Sequence, residues 1–421
     1  MVWWDTNGGI IPQGIVPRRT HPTRFAIFLI ASILSTALCW GAEPKKKKVE
    51  PVPLPLLPVV QEWIATLDDL PTAGGAMDAE RVYIPLQPEQ IVALSRATGM
   101  RVWKRDIESK WPPLVVGDAL FIVASDEIHA VDAATGAERW RISFDHQLTA
   151  PLVSSGSALI AVADRGLVTM IAVADGRTLW MRELGAPSRF TPALDGTRAI
   201  FALADSRLVA LRVMDGRVDW EQKLDGKLNQ PSFAKDRVFV GTNTNLLYAL
   251  DNDNGRLAWR WKAGGDVIGT SGDAKSGAYY ASLDNVVRAV NRGNGNQRWI
   301  KEVPTRPLLP PQTYGYGDGK FYEEIVVLTG VTSEIDAFAA KNGMPVGMYQ
   351  PPAGGDLQGP PLIDPDLKPY QVAMVVITRD GRALGLKPSA MMLAEPVNVP
   401  FTTELPGRHL ERERISPVAS R

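Results

Sequence analysis

A chain of 421 residues, 45% of them hydrophobic, has enough apolar matter for a large core, which excludes disorder throughout. Its 46 basic and 46 acidic residues cancel, and no stretch of the repeated region forms a basic stripe, so nucleic acid is not among the expected partners. The single cysteine, Cys39, excludes intramolecular disulfides and cysteine-built metal sites.

The amino-terminal segment 25–42 is uncharged and follows Arg18, Arg19 and Arg24, the order of a secretory signal with a cleavage site after Gly41 or Ala42. Its eighteen residues also reach the lower limit for a membrane-spanning helix, so 1–42 is read as a signal peptide or a retained anchor. Lipidation at Cys39 is a third reading, with Leu38 and Thr36 standing where a lipoprotein signal prefers a small residue and leucine. Lys45 to Lys48 then form a basic run of the kind retained on the cytoplasmic side, and Pro51, Pro53, Pro55 and Pro58 stiffen a linker over 43–60. The expected location is the periplasm or cell envelope, with membrane association only through the amino-terminal segment.

From Trp63 onward the chain is periodic. Trp63, Trp103, Trp140, Trp180, Trp220, Trp259 and Trp299 recur about every forty residues. Gly99, Gly136, Gly176, Gly216, Gly255 and Gly295 each precede a tryptophan by four positions, whereas Gly343 is followed by Gly347 where tryptophan is due. Ten residues before the tryptophans, from Trp103 on, stand Ala93, Ala130, Met170, Ala210, Ala249 and Ala289, with Ala337 and Ala383 at the matching places of two further units. Within one unit, 151–153, 157–162, 168–173 and 178–182 read as four strands, with apolar runs suited to a sheet covered on both faces. This pattern predicts an all-β protein, an eight-bladed β-propeller of four-stranded antiparallel blades over 61–390. The eighth unit lacks its outer strand, and 62–67 lies one repeat before Trp103, so the amino-terminal strand is expected to close the ring beside 383–386. The seventh unit is longer than the rest; the extra residues are placed in a proline-rich interblade loop at 304–311, and the missing tryptophan predicts a seam that buries less apolar surface. Residues 391–421 read as a largely disordered tail.

Regular placement makes the tryptophans and turn glycines a structural signature, with each indole packed between neighbouring sheets. Other chemistry is sparse. His129 and His146 are the two histidines within the repeats, too few for a three-histidine zinc site. His146 beside Asp145 is read as a solvated interblade turn, and Glu323 and Glu324, as strand neighbours, point to opposite faces. No nucleophile elbow, Walker loop or dinucleotide fingerprint occurs. No catalytic, cofactor-binding or metal-binding residue is assigned.

The run Ala130-Val-Asp-Ala-Ala-Thr-Gly-Ala-Glu-Arg-Trp140, repeated as Ala249-Leu-Asp-Asn-Asp-Asn-Gly-Arg-Leu-Ala-Trp259, resembles the repeat of the pyrroloquinoline-quinone (PQQ) propeller family over about 62–388. That family holds quinoprotein dehydrogenases and non-catalytic scaffolds. The resemblance implies, for the catalytic branch, a vicinal cysteine pair, a Ca²⁺ held by acidic and amide side chains, and an aspartate base; the lone Cys39 cannot supply the pair. The chain is most similar to the non-catalytic, BamB-like branch, which implies an envelope scaffold with no cofactor, binding envelope proteins such as the β-barrel assembly machinery of the outer membrane. A reduced PQQ-dependent oxidoreductase using PQQ and Ca²⁺, and a ligand-sensing domain of a membrane-anchored protein, are the alternatives.

Overall fold

Blade three shows how the repeat becomes a sheet. Val153–Ser154, Ala158–Val162, Leu167–Ala172 and Thr178–Glu183 pair in sequence order as an antiparallel meander. The two middle strands are apolar and almost wholly buried, because a neighbouring blade covers each face. A β-bulge between Met170 and Ile171 leaves Leu179 unpaired and sets Trp180 directly opposite Met170. The same bulge recurs in every blade, so Trp103, Trp140, Trp220, Trp259 and Trp299 face Ala93, Ala130, Ala210, Ala249 and Ala289 across the ladder.

The computed structural model describes residues 56–272, 277–317, 322–352, 355–364 and 371–389; the expectations for 1–42 and 391–421 lie outside them. Eight such four-stranded sheets form the propeller. Blades one to seven run in chain order from Ala76–Met77 to Pro345–Tyr349. Blade eight combines Leu362–Ile363, Met374–Thr378 and Arg382–Pro388 with Val59–Thr66, which pairs antiparallel to Arg382–Pro388 as its outer strand. The ring is therefore closed by the amino-terminal strand, which begins at Val59 rather than at residue 62.

Three expectations are corrected. Trp63 faces Gly385, not Ala383: the bulge before Trp63 is the one the other blades have, and two positions along the unbroken ladder Ala383 pairs with Ala65. A β-carbon at Gly385 would overlap the Trp63 indole, so here glycine takes the place of the small alanine. The extra residues of blade seven lie not in the interblade link but in its first hairpin. Links 303–311 and 184–192 are equally long, whereas Gln312–Gly317 and Tyr322–Thr329 span 6 and 8 residues against 2 and 5 in blade three.

The third correction is the seam between blades seven and eight, which is not underpacked. Leu56 and Leu57, at the end of the proline-rich linker, are fully buried in a core with Ile325, Val327, Met374 and Leu384. Leu57 packs on Gly347, filling the space left by the missing tryptophan.

Candidate interaction surface

The repeated residues are committed to blade packing. Each outer-strand indole lies on the turn glycine of the next blade: Trp63 on Gly99, Trp103 on Gly136, Trp140 on Gly176, Trp180 on Gly216, Trp220 on Gly255, Trp259 on Gly295 and Trp299 on Gly343. A β-carbon at any of these glycines would come within 2.5–2.9 Å of the ring below it. Each also has a positive φ, between 66° and 73°, which glycine adopts without strain. The indole N–H then donates to the carbonyl three residues before that glycine, at 2.8 Å for Trp63 to Arg96, 2.7 Å for Trp220 to Asn252 and 2.9 Å for Trp299 to Ala340. Tilted contacts with Tyr83, Phe121, Phe239 and Tyr279, centroids 5.6–5.8 Å apart, support four of the indoles from within their own blades. Stacked this way, the tryptophans offer no aromatic platform to a ligand.

The repeat's aspartate is likewise a turn device. Asp132 Oδ1 accepts the backbone N–H groups of Ala134 and Thr135 and the Thr135 hydroxyl. The Arg139 guanidinium beside it, with the Thr135 bonds, holds its carboxyl down at about 2.

The closing seam between blades eight and one carries a buried ion pair that the sequence did not reveal. Arg96, in the third turn of blade one, bonds the Asp364 carboxylate of blade eight and donates from Nε to the Val372 carbonyl at 2.8 Å. Arg96 and Asp364 are 6% and 8% exposed, so the two charges compensate each other out of water. The Arg96 carbonyl is also the acceptor for Trp63, which joins the ion pair to the indole seat. Equivalent carbonyls belong to Ala133, Val173, Val213, Asn252, Arg292 and Ala340, so nothing periodic marks Arg96. Above the pair, between the first strands of blades seven, eight and one, is a cleft of about 450 Å³ lined by Met77, Asp78, Tyr314, Leu362 and Asp364. Burial pushes the Tyr314 phenol well above its ordinary range.

The remaining titratable candidates are dispersed. His129, largely buried, lies 3.3 Å from Glu127 and 3.4 Å from Glu138. His146 pairs at 2.9 Å with Asp164 of blade three rather than with its neighbour Asp145, and both partners are exposed. Glu323 and Glu324 follow one another on Tyr322–Thr329, with Glu324 opposite Gly315 and Glu323 opposite Tyr316. Among the described residues, no group of three or more His, Cys, Asp or Glu side chains is placed to hold a metal. Among the described residues, the surface open to a partner consists of the outer strands, each paired on one side only, and the turns at the two faces of the ring.

A family model described as "Outer membrane protein assembly factor BamB" matches residues 87–230 and 223–374, from blade one into blade eight. The assembly factor BamB of Yersinia pestis is 22% identical over 210 residues, covering 45% of this chain and 52% of that protein. BamB of Marinobacter adhaerens is 32% identical over 109 residues, covering 25% of this chain and 27% of that protein. The chain thus spans from about a quarter to about half the length of these curated relatives. The crystal structure of BamB from Moraxella catarrhalis superimposes with a TM-score of 0.59 at 19% identity, covering 78% of this chain and 98% of that one. At that identity the likeness shows the fold.

Proposed function

The chain belongs to the family of the outer membrane protein assembly factor BamB, and on that premise we propose that it is a non-catalytic envelope scaffold binding proteins of outer-membrane β-barrel assembly. The observation that carries this reading is the extent of the family match, which runs through the propeller from residue 87 to 374. The chemistry of the ring supports it: the recurring tryptophans, glycines and aspartates are spent on packing and turns, leaving strand edges and loops as the means of recognition. Export to the envelope, through residues 1–42, is part of the proposal. Affinity capture of the tagged full chain from envelope extracts of its host tests it. Enrichment of β-barrel assembly proteins over a tag-only control is the expected result; recovery of none of them would overturn the reading.

We also propose that the protein works without a cofactor. PQQ is a polycarboxylate and calls for unpaired cations, whereas Arg96 at the cleft is already bonded to Asp364 and Val372, and Asp78 adds a further acid. These residues do not fit the quinone. Titration with PQQ and Ca²⁺, followed by assays on alcohols and aldose sugars with an artificial electron acceptor, should give neither binding nor turnover. Micromolar binding with turnover would establish the oxidoreductase instead, and binding without turnover the ligand sensor.

A further inference from the structure

Three of the turns that seat a tryptophan contain the dipeptide asparagine–glycine: Asn254–Gly255, Asn294–Gly295 and Asn342–Gly343. Glycine has no side chain to shield its own nitrogen, so an asparagine before it is the most prone to lose its amide. The three asparagines are exposed and held alike. Each side-chain oxygen accepts the N–H two residues on, from Arg256, Asn296 or Met344, at 2.9–3.0 Å. Each glycine N–H donates to the carbonyl four residues back, at 2.8 Å. That bond ties up the attacking nitrogen, so reaction waits for the turn to open.

What differs is how firmly each turn is closed and what charge surrounds it. In blade five Asp251 Oδ1 accepts the Asp253 N–H at 3.0 Å. In blade six Asn291 Oδ1 accepts those of Gly293 and Asn294, at 2.9 and 3.3 Å. Blade seven has Ala339 at that place, with no side-chain oxygen to give, and the Asn342 N–H turns to the Ala339 carbonyl, at 3.3 Å. Charge points the same way. Asp253 precedes Asn254 and Gly293 precedes Asn294, whereas Lys341 precedes Asn342. Lys301 also lies over this turn, its Cε 3.1 Å from where a β-carbon of Gly343 would stand. Two ammonium groups beside a nitrogen that must become an anion make its proton easier to remove.

We propose that Asn342–Gly343 is a deamidation site, at which the folded protein ages before it does at the two equivalent turns. Hydroxide takes the Gly343 N–H proton, and the nitrogen attacks the carbon of the Asn342 side-chain amide. A C–N bond forms to close a succinimide, and the amide nitrogen leaves as ammonia, taking a proton from water and so returning the hydroxide. Water then opens the ring at either carbonyl, giving aspartate or isoaspartate. The two products differ in consequence. Aspartate fits, because Asp175 and Asp215 stand at the same place in blades three and four and accept the N–H two residues on at 3.1 Å. Isoaspartate routes the main chain through an extra methylene and moves Gly343 off the Trp299 ring, which lies so close that a β-carbon would come within 2.8 Å of it. The modification thus loosens the seam between blades six and seven.

The test incubates the folded full chain at pH 8.5 and 37 °C and separates the asparagine, aspartate and isoaspartate peptides by mass spectrometry. Asn342 should react about tenfold faster than Asn254 and Asn294, and in the urea-unfolded chain, where the caps are gone, the three rates should agree within about threefold. Ala339→Asn, which copies the blade-six turn, should slow Asn342 by about threefold or more, and so should Lys301→Gln, which removes one charge. Asn342→Asp should keep the wild-type melting temperature, whereas the isoaspartate-bearing fraction should unfold earlier. Equal rates at the three turns of the folded protein, faster reaction at Asn254 or Asn294, no reaction at Asn342 within a month, or no slowing by either substitution would overturn the proposal. A melting temperature lowered by Asn342→Asp as much as by isoaspartate would overturn the consequence drawn for the seam.

Discussion

Leu57 lies against Gly347, filling from the side of blade eight the space that a tryptophan fills at each of the other seven seams. The exchange follows from how the ring closes. Blade eight takes its outer strand from the start of the chain, so it has no hairpin turn and no turn glycine to offer a neighbouring indole. The residues entering that strand fill the space, and the Ser389 N–H closes the join on the Pro58 carbonyl at 2.9 Å. Leu57→Ala should therefore cost about 3 kcal/mol, as much as truncating a core leucine anywhere, although it lies beside a proline-rich linker. Urea unfolding measures it; a loss below about 1 kcal/mol would show that the seam is held by strand pairing alone.

The buried pair at the other side of the same blade is expected to behave asymmetrically. Arg96→Met leaves the Asp364 carboxylate and the Val372 carbonyl without their shared donor and should destabilise the protein by about 3–5 kcal/mol. Replacing both partners with apolar residues, Arg96→Met with Asp364→Leu, should recover most of that loss. Thermal unfolding of the two variants decides the matter, and equal damage from single and double changes would mean that the pair is not what holds the seam.

Two glycines separate the contribution of backbone conformation from that of packing. Gly196 and Gly216 both have positive φ, 89° and 66°. A β-carbon at Gly196 meets open space, whereas at Gly216 it comes within 2.6 Å of the Trp180 ring. Gly196→Ala should cost about 1 kcal/mol, and Gly216→Ala about 2 kcal/mol more, as overpacking displaces the indole. Equal costs in denaturant titrations would remove the seat from the account.

Asp336 gives a pH dependence with a definite sign. Burial, with a smaller contribution from Glu334, pushes its carboxyl up to about 6, against an unfolded value near 4. Between those values the native state binds the proton more tightly than the unfolded chain does, so this group's contribution falls as pH rises from about 4 to 6. Above pH 6 the full penalty is present. Asp336→Asn should stabilise the protein by about 1–2 kcal/mol at pH 7.5, after allowance for partial solvent access, and by almost nothing at pH 4. Denaturation at the two pH values checks this; a gain of equal size at both would assign the effect to packing.

The blades were legible because their signals are periodic. Glycine and tryptophan four apart fix turn and outer strand, and the absent outer strand of the last unit points to 62–67. What stayed hidden has no period. Arg96 occupies a position where the other blades have alanine, valine, asparagine or arginine, so only the three-dimensional closure reveals its partner 268 residues away. Leu56 and Leu57 looked like linker because prolines surround them, though two adjacent leucines in an otherwise extended stretch were a usable sign of burial. The partner of Trp63 is hidden because blade eight has glycine, Gly385, where the other ladders set alanine or methionine opposite the tryptophan, and an alanine, Ala383, stands only two positions away. The extra length of blade seven drew attention to its prolines, whereas it extends a hairpin.

Function is the central claim, and loss of the protein from its host tests it most directly. Quantitative mass spectrometry of outer-membrane fractions, with and without the protein, should show β-barrel proteins reduced at least twofold relative to lipoproteins, and restored by the wild-type chain. Unchanged β-barrel levels in its absence would contradict the account.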